Sequence, residues 1–173
     1  MKILLILLKK RLSNYKIMKY SYQLKNVITE IRNYKKNSKK IVFTNGIFDI
    51  LHVGHTRYLS EASTLGDILV IGINSDDSVK KLKGPSRPIN NLEDRGLILS
   101  ELKVVDYVIS FEEQTPFNLI KSIMPDILVK GGDYTIEDIV GAQEVIESGG
   151  KVEILDFHPG YSSTHYINQI KKH

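Results

Sequence analysis

Cysteine is absent from the 173 residues of the sequence. Disulfide bonds and thiolate metal sites are therefore excluded. This absence is consistent with a reducing compartment, and we expect a cytoplasmic protein. Hydrophobic residues make up 42% of the chain and charged residues 25%, proportions that are typical of a globular domain. A chain of this length is expected to form one compact domain whose core needs no cross-links.

Long apolar runs are also absent. The run near the start, from Ile3 to Leu8, has only six residues. A membrane span needs about 20 residues, and the apolar part of a secretory signal needs about 7–15. Three basic residues, Lys9, Lys10 and Arg11, follow the run where a signal peptide would have its small-residue cleavage site. We therefore predict neither a signal peptide nor a membrane partner.

Acidic residues are nearly absent from the first quarter of the chain. Residues 1–40 contain 12 of the 24 Lys and Arg residues but one of the 20 Asp and Glu residues, a net charge of +11, which leaves −7 on residues 41–173. An acidic body is a poor nucleic-acid surface, so we expect no nucleic-acid partner. We predict a basic leader with a short helix at residues 1–39 and a domain at 40–173. Met18 is a plausible alternative start.

From residue 40 onward, apolar β-branched runs alternate with helical patterns. The predicted strands are residues 40–44, 67–74, 106–110, 126–132 and 151–157. The predicted helices cover about 53–65, 75–84, 90–102, 115–124, 136–150 and 162–172, and Asn90 with Glu93 resembles a capping box. Because the strands are apolar on both faces, the pattern predicts an α/β fold: a Rossmann-like, doubly wound, five-stranded parallel sheet.

The segment GIFDILHVGH, residues 46–55, lies at a predicted strand-to-helix junction. A helix N-terminus has free N–H groups and partial positive charge, so it attracts phosphate. Gly54 would let a phosphate approach the backbone, and His52 and His55 could donate to the same anion. The segment offers no third zinc ligand and no nucleophile elbow, so neither a zinc site nor hydrolase chemistry is favoured.

This segment resembles the G-x-F-D-x-x-H-x-G-H signature of the nucleotidyltransferase α/β-phosphodiesterase superfamily, which includes the cytidylyltransferases. With NSDDSVKKLKGPSRPINNLEDR (74–95), VKGGDYT (129–135) and GYSST (160–164), the chain resembles the D-glycero-β-D-manno-heptose 1-phosphate adenylyltransferases over residues 40 to about 170. The resemblance implies the nucleotidyltransferase fold and transfer of AMP from ATP to the heptose 1-phosphate. The products would be pyrophosphate and ADP-heptose, a lipopolysaccharide precursor.

The resemblance also implies roles for individual residues. Catalytic roles fall on His52, His55 and Lys83. Nucleotide contacts fall on Thr44, Asn45, Gly46, Ile47, Phe48, His52, Gly54, His55, Lys130, Gly132, Asp133, Ser162, Ser163 and Thr164. Contacts to the substrate phosphate fall on Lys83, Arg87 and Arg95. Mg²⁺ would arrive with ATP, without protein side chains as ligands. The implied partners are ATP, a sugar 1-phosphate and, in a homo-oligomer, further copies of the chain.

Two other functions are also compatible with the sequence. One is a CTP-dependent cytidylyltransferase acting on glycerol 3-phosphate or a similar small phosphate, and the other is a non-catalytic module that senses ATP. Cytidylyltransferases often carry an RTEGIST segment, whereas this chain has DFHPGYSST at residues 156–164 and lacks the arginine. That difference favours ATP over CTP.

Overall fold

The computed structural model describes residues 20–21, 24–156 and 160–170. Its strands are β1 (Tyr20–Ser21), β2 (Ile41–Gly46), β3 (Ile68–Asn74), β4 (Tyr107–Phe111), β5 (Ile127–Gly131) and β6 (Lys151–Leu155). Its α-helices are α1 (Leu24–Lys36), α2 (Val53–Ser63), α3 (Asp76–Lys83), α4 (Leu92–Ser100), α5 (Phe117–Ile123), α6 (Ala142–Glu147) and α7 (Ser163–Ile170). The proposed start at Met18 and the end of the last predicted helix lie outside the described residues.

The strands form a single parallel sheet with the order β1-β4-β3-β2-β5-β6. The five predicted strands are confirmed, and β1 adds a two-residue edge. From β2 the chain builds outward through β3 and β4, then crosses to β5 on the other side of β2. In such a sheet the ligand-binding crevice opens at the carboxyl ends of the strands where the winding reverses. Here that place is the end of β2 and β5.

Alternating side chains of the strands fill two separate cores. Phe43, Ile109 and Leu128 belong to a cluster that includes residues of α1, α5 and α6. Val42 and Ile71 belong to a second cluster that includes residues of α2 and α4. Successive side chains of a strand point to opposite faces, so helices cover the sheet on both sides, as predicted. Within the described part of the chain, none of the helices combines the length and apolar character needed to cross a bilayer.

Helix α1 is part of this folded unit, which corrects the predicted division at residue 40. Val27 and Ile31 are almost fully buried in the first core cluster. The Tyr107 hydroxyl donates a hydrogen bond to the Glu30 carboxylate, and the Tyr34 hydroxyl lies 3.2 Å from that of Tyr107. Arg32 and Lys36 lie on the exposed face of this amphipathic helix, whose other face packs on the sheet.

We expect Ile31→Ala to lower the free energy of unfolding by at least about 2 kcal/mol, because it leaves a cavity under the sheet. Denaturant unfolding measures the change. The exposed Lys36→Ala serves as the matched control on the same helix and should stay within about 0.5 kcal/mol of wild type. Equal stability of the two variants would mean that α1 is not packed as described.

The predicted helix over residues 136–150 is interrupted. A 3₁₀ turn covers Ile136–Asp138, and α6 begins only at Ala142, after Gly141 with φ of 82°. A β-carbon on Gly141 would lie 2.9 Å from two side-chain carbons of Ile120. The backbone therefore turns at Gly141 to pass over α5, and a continuous helix cannot form there.

The helix after the proline loop begins one residue later than predicted. Asn91, not Asn90, is its N-cap, since the Asn91 side chain accepts a hydrogen bond from the Asp94 amide at 2.9 Å. Asn90 instead bonds to the segment that carries the two histidines, through the carbonyl of Asp49.

Candidate active site

A cavity of about 290 Å³ lies at the carboxyl ends of β2 and β5. It is lined by ten of the residues predicted to bind nucleotide: Asn45, Gly46, Ile47, Phe48, His52, Gly54, His55, Lys130, Ser162 and Ser163. These residues come from the end of β2, the start of α2, the end of β5 and the start of α7. We call this space the first cavity.

The two histidines stack on each other at the start of α2. Their ring centroids are 3.7 Å apart and the ring planes differ by 19°. The Nδ1 atoms of both rings are buried and have no hydrogen-bond partner among the described residues. Buried polar donors of a folded protein are normally paired, so a proton on either Nδ1 would be left without an acceptor among the described residues.

Burial keeps both imidazoles neutral. It lowers the pKa of His52 below its ordinary value. The pKa of His55 falls to about 4, first because of burial and second because of the neighbouring His52. At neutral pH each ring therefore carries one N–H donor and no charge.

The shifted pKa of His55 makes the stability of the ligand-free protein depend on pH. The native state resists protonation down to about pH 4, whereas an unfolded histidine protonates near pH 6.5. The unfolded state thus binds more protons between these values, and stability falls as the pH drops through them. From pH 7.5 to pH 4 we expect wild type to lose up to about 3 kcal/mol more than His55→Gln, by denaturant unfolding. Parallel curves for the two proteins would contradict the assignment.

The loop before the histidines is held in an unusual backbone conformation. Phe48 has φ of 49°, in the left-handed region that bulky side chains rarely adopt. Its ring lies 5.1 Å from that of His55, between centroids, and fills the space where a β-carbon on Gly46 would come within 2.9 Å of it. The packing of Phe48 thus sets the shape of the loop and closes one side of the first cavity.

A second helix N-terminus reaches the cavity from α7. Ser162 caps this helix by accepting from the His165 amide at 3.0 Å, and Ser163 Oγ donates to the Ile50 carbonyl at 3.0 Å. Gly54 allows the approach, because a β-carbon there would lie 2.9 Å from Cβ of Tyr161. The starts of α2 and α7 therefore meet at the same space, where both favour an anion.

Lys130 supplies the cation of the first cavity. Its Nζ donates to Asn45 Oδ1 at 3.1 Å and lies 5.5 Å from the centre of the Tyr134 ring. Burial lowers the pKa of Lys130 below its ordinary value. An anionic ligand would supply the negative counter-charge that would stabilise this partly desolvated ammonium.

Asp49 of the motif is a buried clamp for the following loop. Its Oδ1 accepts from the amides of Ile89 and Asn90 at 2.7 and 2.9 Å, and its Oδ2 accepts from Arg87 Nε at 2.5 Å. The Asn90 side-chain amide donates a hydrogen bond to the Asp49 carbonyl at 2.7 Å. Arg87 was predicted to contact substrate phosphate. In the structure it forms an ion pair with Asp49 instead and does not line the first cavity.

Arg95 was also predicted to contact the substrate phosphate, and its position in the structure contradicts this prediction. Its guanidinium is buried and donates to the carbonyls of Asn90, Ile47 and Asn74 at 2.8–3.0 Å and to Asp76 Oδ1 at 2.7 Å. Donors engaged in this way have no exposed face for a substrate phosphate. Arg95 is a positioning residue that joins the ends of β2 and β3 to the loop before α4.

Other predicted residues lie around the cavity and not in its lining. Thr44 is buried beneath it, with Oγ1 2.7 Å from the hydroxyl of Tyr58. Gly132 is buried and donates its amide to the Leu155 carbonyl at 3.0 Å, while the Asp133 and Thr164 side chains are exposed. Thr44 and Gly132 therefore support the cavity from within the protein, and Asp133 and Thr164 lie outside its lining.

Sequence reasoning missed several lining residues. Tyr58 follows His55 by three positions and so shares its helix face, a signal that helical periodicity could have given. Burial raises the pKa of Tyr58 to about 12, so it stays protonated. Tyr134, in the VKGGDYT segment that carries the resemblance, lines the first cavity, whereas its neighbour Asp133 does not. Asp156 and Tyr161 also line it, and no spacing rule would have separated these two from ordinary loop residues.

The fold and the site define a class of protein: a doubly wound α/β domain whose crevice at the switch point is lined by two helix N-termini and Lys130. Residues 43–169 match the family described as Cytidylyltransferase-like. The match covers most of the chain, which belongs to the cytidylyltransferase-like family, a family of nucleotidyltransferases. The resemblance seen in the sequence is confirmed at this level.

Particular relatives narrow the comparison. The chain is 53% identical over 150 residues to the bifunctional protein HldE of Proteus mirabilis, an alignment covering 87% of this chain and 31% of HldE. For HldE of Escherichia coli O139:H28 the identity is 53% over 138 residues, covering 80% and 29%. The chain thus spans about a third of the length of these relatives.

Solved structures agree with the fold. A lipopolysaccharide core biosynthesis protein of Thermoplasma volcanium has 33% identity and a TM-score of 0.56, covering 69% of this chain and 97% of that protein. Pantoate-β-alanine ligase of Francisella tularensis, solved with a nucleotide and β-alanine, has a TM-score of 0.55 at 16% identity, covering 89% and 78%. The second likeness concerns the fold alone.

Proposed function

We propose that the protein is an adenylyltransferase that transfers AMP from ATP to D-glycero-β-D-manno-heptose 1-phosphate. The observation that carries the reaction type is the stacked, neutral pair of His52 and His55 between two helix N-termini. The choice of sugar is supported by the sequence resemblance, by the identity to HldE and by the relative from lipopolysaccharide core biosynthesis.

In the proposed reaction an oxygen of the sugar phosphate attacks the α-phosphorus of ATP in line. The bond from that phosphorus to the bridging oxygen breaks, and pyrophosphate leaves with the electron pair. The attacking phosphate is already ionised at neutral pH, so no strong general base is needed. The protein positions the two phosphates and stabilises the charge that moves between them.

The geometry favours one tautomer for the two histidines. Since Nδ1 of each ring is buried without a partner among the described residues, Nε2 is the ring nitrogen left to reach a ligand. A neutral ring with its proton on Nε2 donates to the phosphates and leaves only a lone pair at the buried position. His52 and His55 would then act as fixed, uncharged donors aimed at oxygens whose charge grows in the transition state.

The remaining groups bind the triphosphate. The amides at the starts of α2 and α7 and the ammonium of Lys130 all face the first cavity. Together they provide the positive potential that a triphosphate needs. Mg²⁺ enters as part of the MgATP substrate and is held mainly by phosphate and water.

The experiment is pyrophosphate release across four nucleoside triphosphates and two acceptors, heptose 1-phosphate and glycerol 3-phosphate. We expect turnover with ATP and heptose 1-phosphate, and a kcat/KM for ATP at least about tenfold above that for CTP, a difference of about 1.4 kcal/mol in transition-state binding. Equal or better use of CTP would support the cytidylyltransferase alternative. Tight ATP binding with no pyrophosphate release from any pair would support the ATP-sensing alternative.

A further inference from the structure

A second cavity of about 390 Å³ adjoins the first. The two share five lining residues: Asn45, Gly46, Ile47, Lys130 and Tyr134. A molecule in the second cavity would therefore lie against one in the first, with the Lys130 ammonium at their common border. Two adjoining spaces with a cation between them suit a reaction that joins two phosphate-bearing substrates.

The two cavities differ in the chemistry of their walls. The first contains the two imidazoles and the two helix N-termini, which donate to anions, together with the carboxylate of Asp156. The second adds the carboxamides of Asn74 and Gln114, the hydroxyl of Thr115 and the carboxylate of Asp138. The carboxamides and the hydroxyl accept as well as donate and the carboxylate accepts, so together they can pair with sugar hydroxyls. Lys83, at the end of α3, is the cation that the second cavity has and the first lacks.

The wall that carries Asp138 exists because the chain departs from a helix. The 3₁₀ turn at Ile136–Asp138 and the break at Gly141 leave Ile139 and Val140 beside Asp138 on the cavity. Thr135 Oγ1 donates to Asp138 Oδ2 at 2.8 Å, which fixes the carboxylate. An apolar strip next to a fixed carboxylate fits a sugar ring, which has a C–H face and a hydroxyl edge.

We propose that the second cavity is the acceptor subsite, in which Gln114 and Asp138 select the sugar by its hydroxyls and Lys83 faces its 1-phosphate. The assignment rests on the proposed function, since it takes the sugar 1-phosphate as the acceptor. It makes Gln114 and Asp138 specificity-determining residues that have no part in binding ATP.

Calorimetric titration tests this without turnover. Heptose 1-phosphate is titrated into the protein saturated with α,β-methylene-ATP, and that analogue is titrated separately. For the sugar phosphate we expect Kd to rise about fivefold in Gln114→Ala and about tenfold or more in Asp138→Ala, the usual effects of losing a neutral and a charged hydrogen bond. Kd for the analogue should stay within about twofold. Both side chains are exposed, so melting temperatures should hardly change.

Glu137→Ala is the matched control, because it removes an exposed carboxylate from the same 3₁₀ turn but lies outside the second cavity. It should bind both ligands as wild type does. Unchanged sugar affinity in the two test variants, an equal loss in Glu137→Ala, or no sugar binding by wild type would each overturn the assignment. Pyrophosphate release by the same wild-type preparation judges the proposed function separately, so the two ideas can fail independently.

Discussion

His55→Ala is expected to lower kcat about a hundredfold or more while leaving the melting temperature close to that of wild type. A preorganised donor that acts on transition-state charge typically contributes a factor of about 10²–10³. Such a donor affects kcat more than the binding of the ground state. Removing the ring loses packing contacts, which lowers stability, but it also removes a buried Nδ1 without a partner among the described residues, which raises stability. His52→Ala should behave in the same way.

His55→Gln is the informative companion variant. A glutamine amide reaches about as far as Nε2 of histidine and keeps an uncharged N–H donor there. It should retain more activity than His55→Ala, if the histidine acts as a neutral donor from Nε2. Steady-state kinetics and thermal unfolding of the three variants give both quantities. Normal turnover per folded molecule in the alanine variants would mean that the two rings are packing residues.

Arg95→Met is expected to lower the free energy of unfolding by about 3–5 kcal/mol, because removing one partner of a buried ion pair leaves the others without their donors. For a chain of this size that corresponds to a fall in melting temperature of roughly 10 °C. The physical cause is the loss of one planar group that serves three carbonyls and the Asp76 carboxylate.

Two further variants separate positioning from substrate binding. Arg95→Lys keeps the charge without the planar fork and should recover only part of the stability. Arg57→Met, on the exposed face of α2, is the matched control and should unfold like wild type. If Arg95→Met melted normally but raised KM for the sugar phosphate, the original prediction of a phosphate contact would be restored.

Much of the architecture follows from local pattern. The strands are short apolar runs in which neighbouring positions such as Val42 and Phe43 enter different cores, so a parallel sheet covered on both faces was predictable. The histidine segment was also predictable, because its glycine and imidazoles stand where a strand gives way to a helix. These features depend on residues within about ten positions of one another.

The errors share a different cause, which is packing between distant segments. Nothing near Arg95 in sequence shows that the Ile47 carbonyl, 48 positions away, will meet its guanidinium. The break at Gly141 depends on the side chain of Ile120 in another helix. The burial of one face of α1 depends on a core that sequence reasoning assigned to the rest of the chain. Such contacts decide whether a cation meets a substrate or a carbonyl.

The contact between Ser163 and Ile50 has a consequence for biosynthesis. Their hydrogen bond spans 113 positions, so the ribosome makes the histidine segment roughly 5–20 seconds before the serine that completes the first cavity. During that interval the emerging chain can pair its central strands but lacks the wall of the first cavity that α7 supplies. A ligand that needs both walls would therefore begin to stabilise the chain only after α7 has docked.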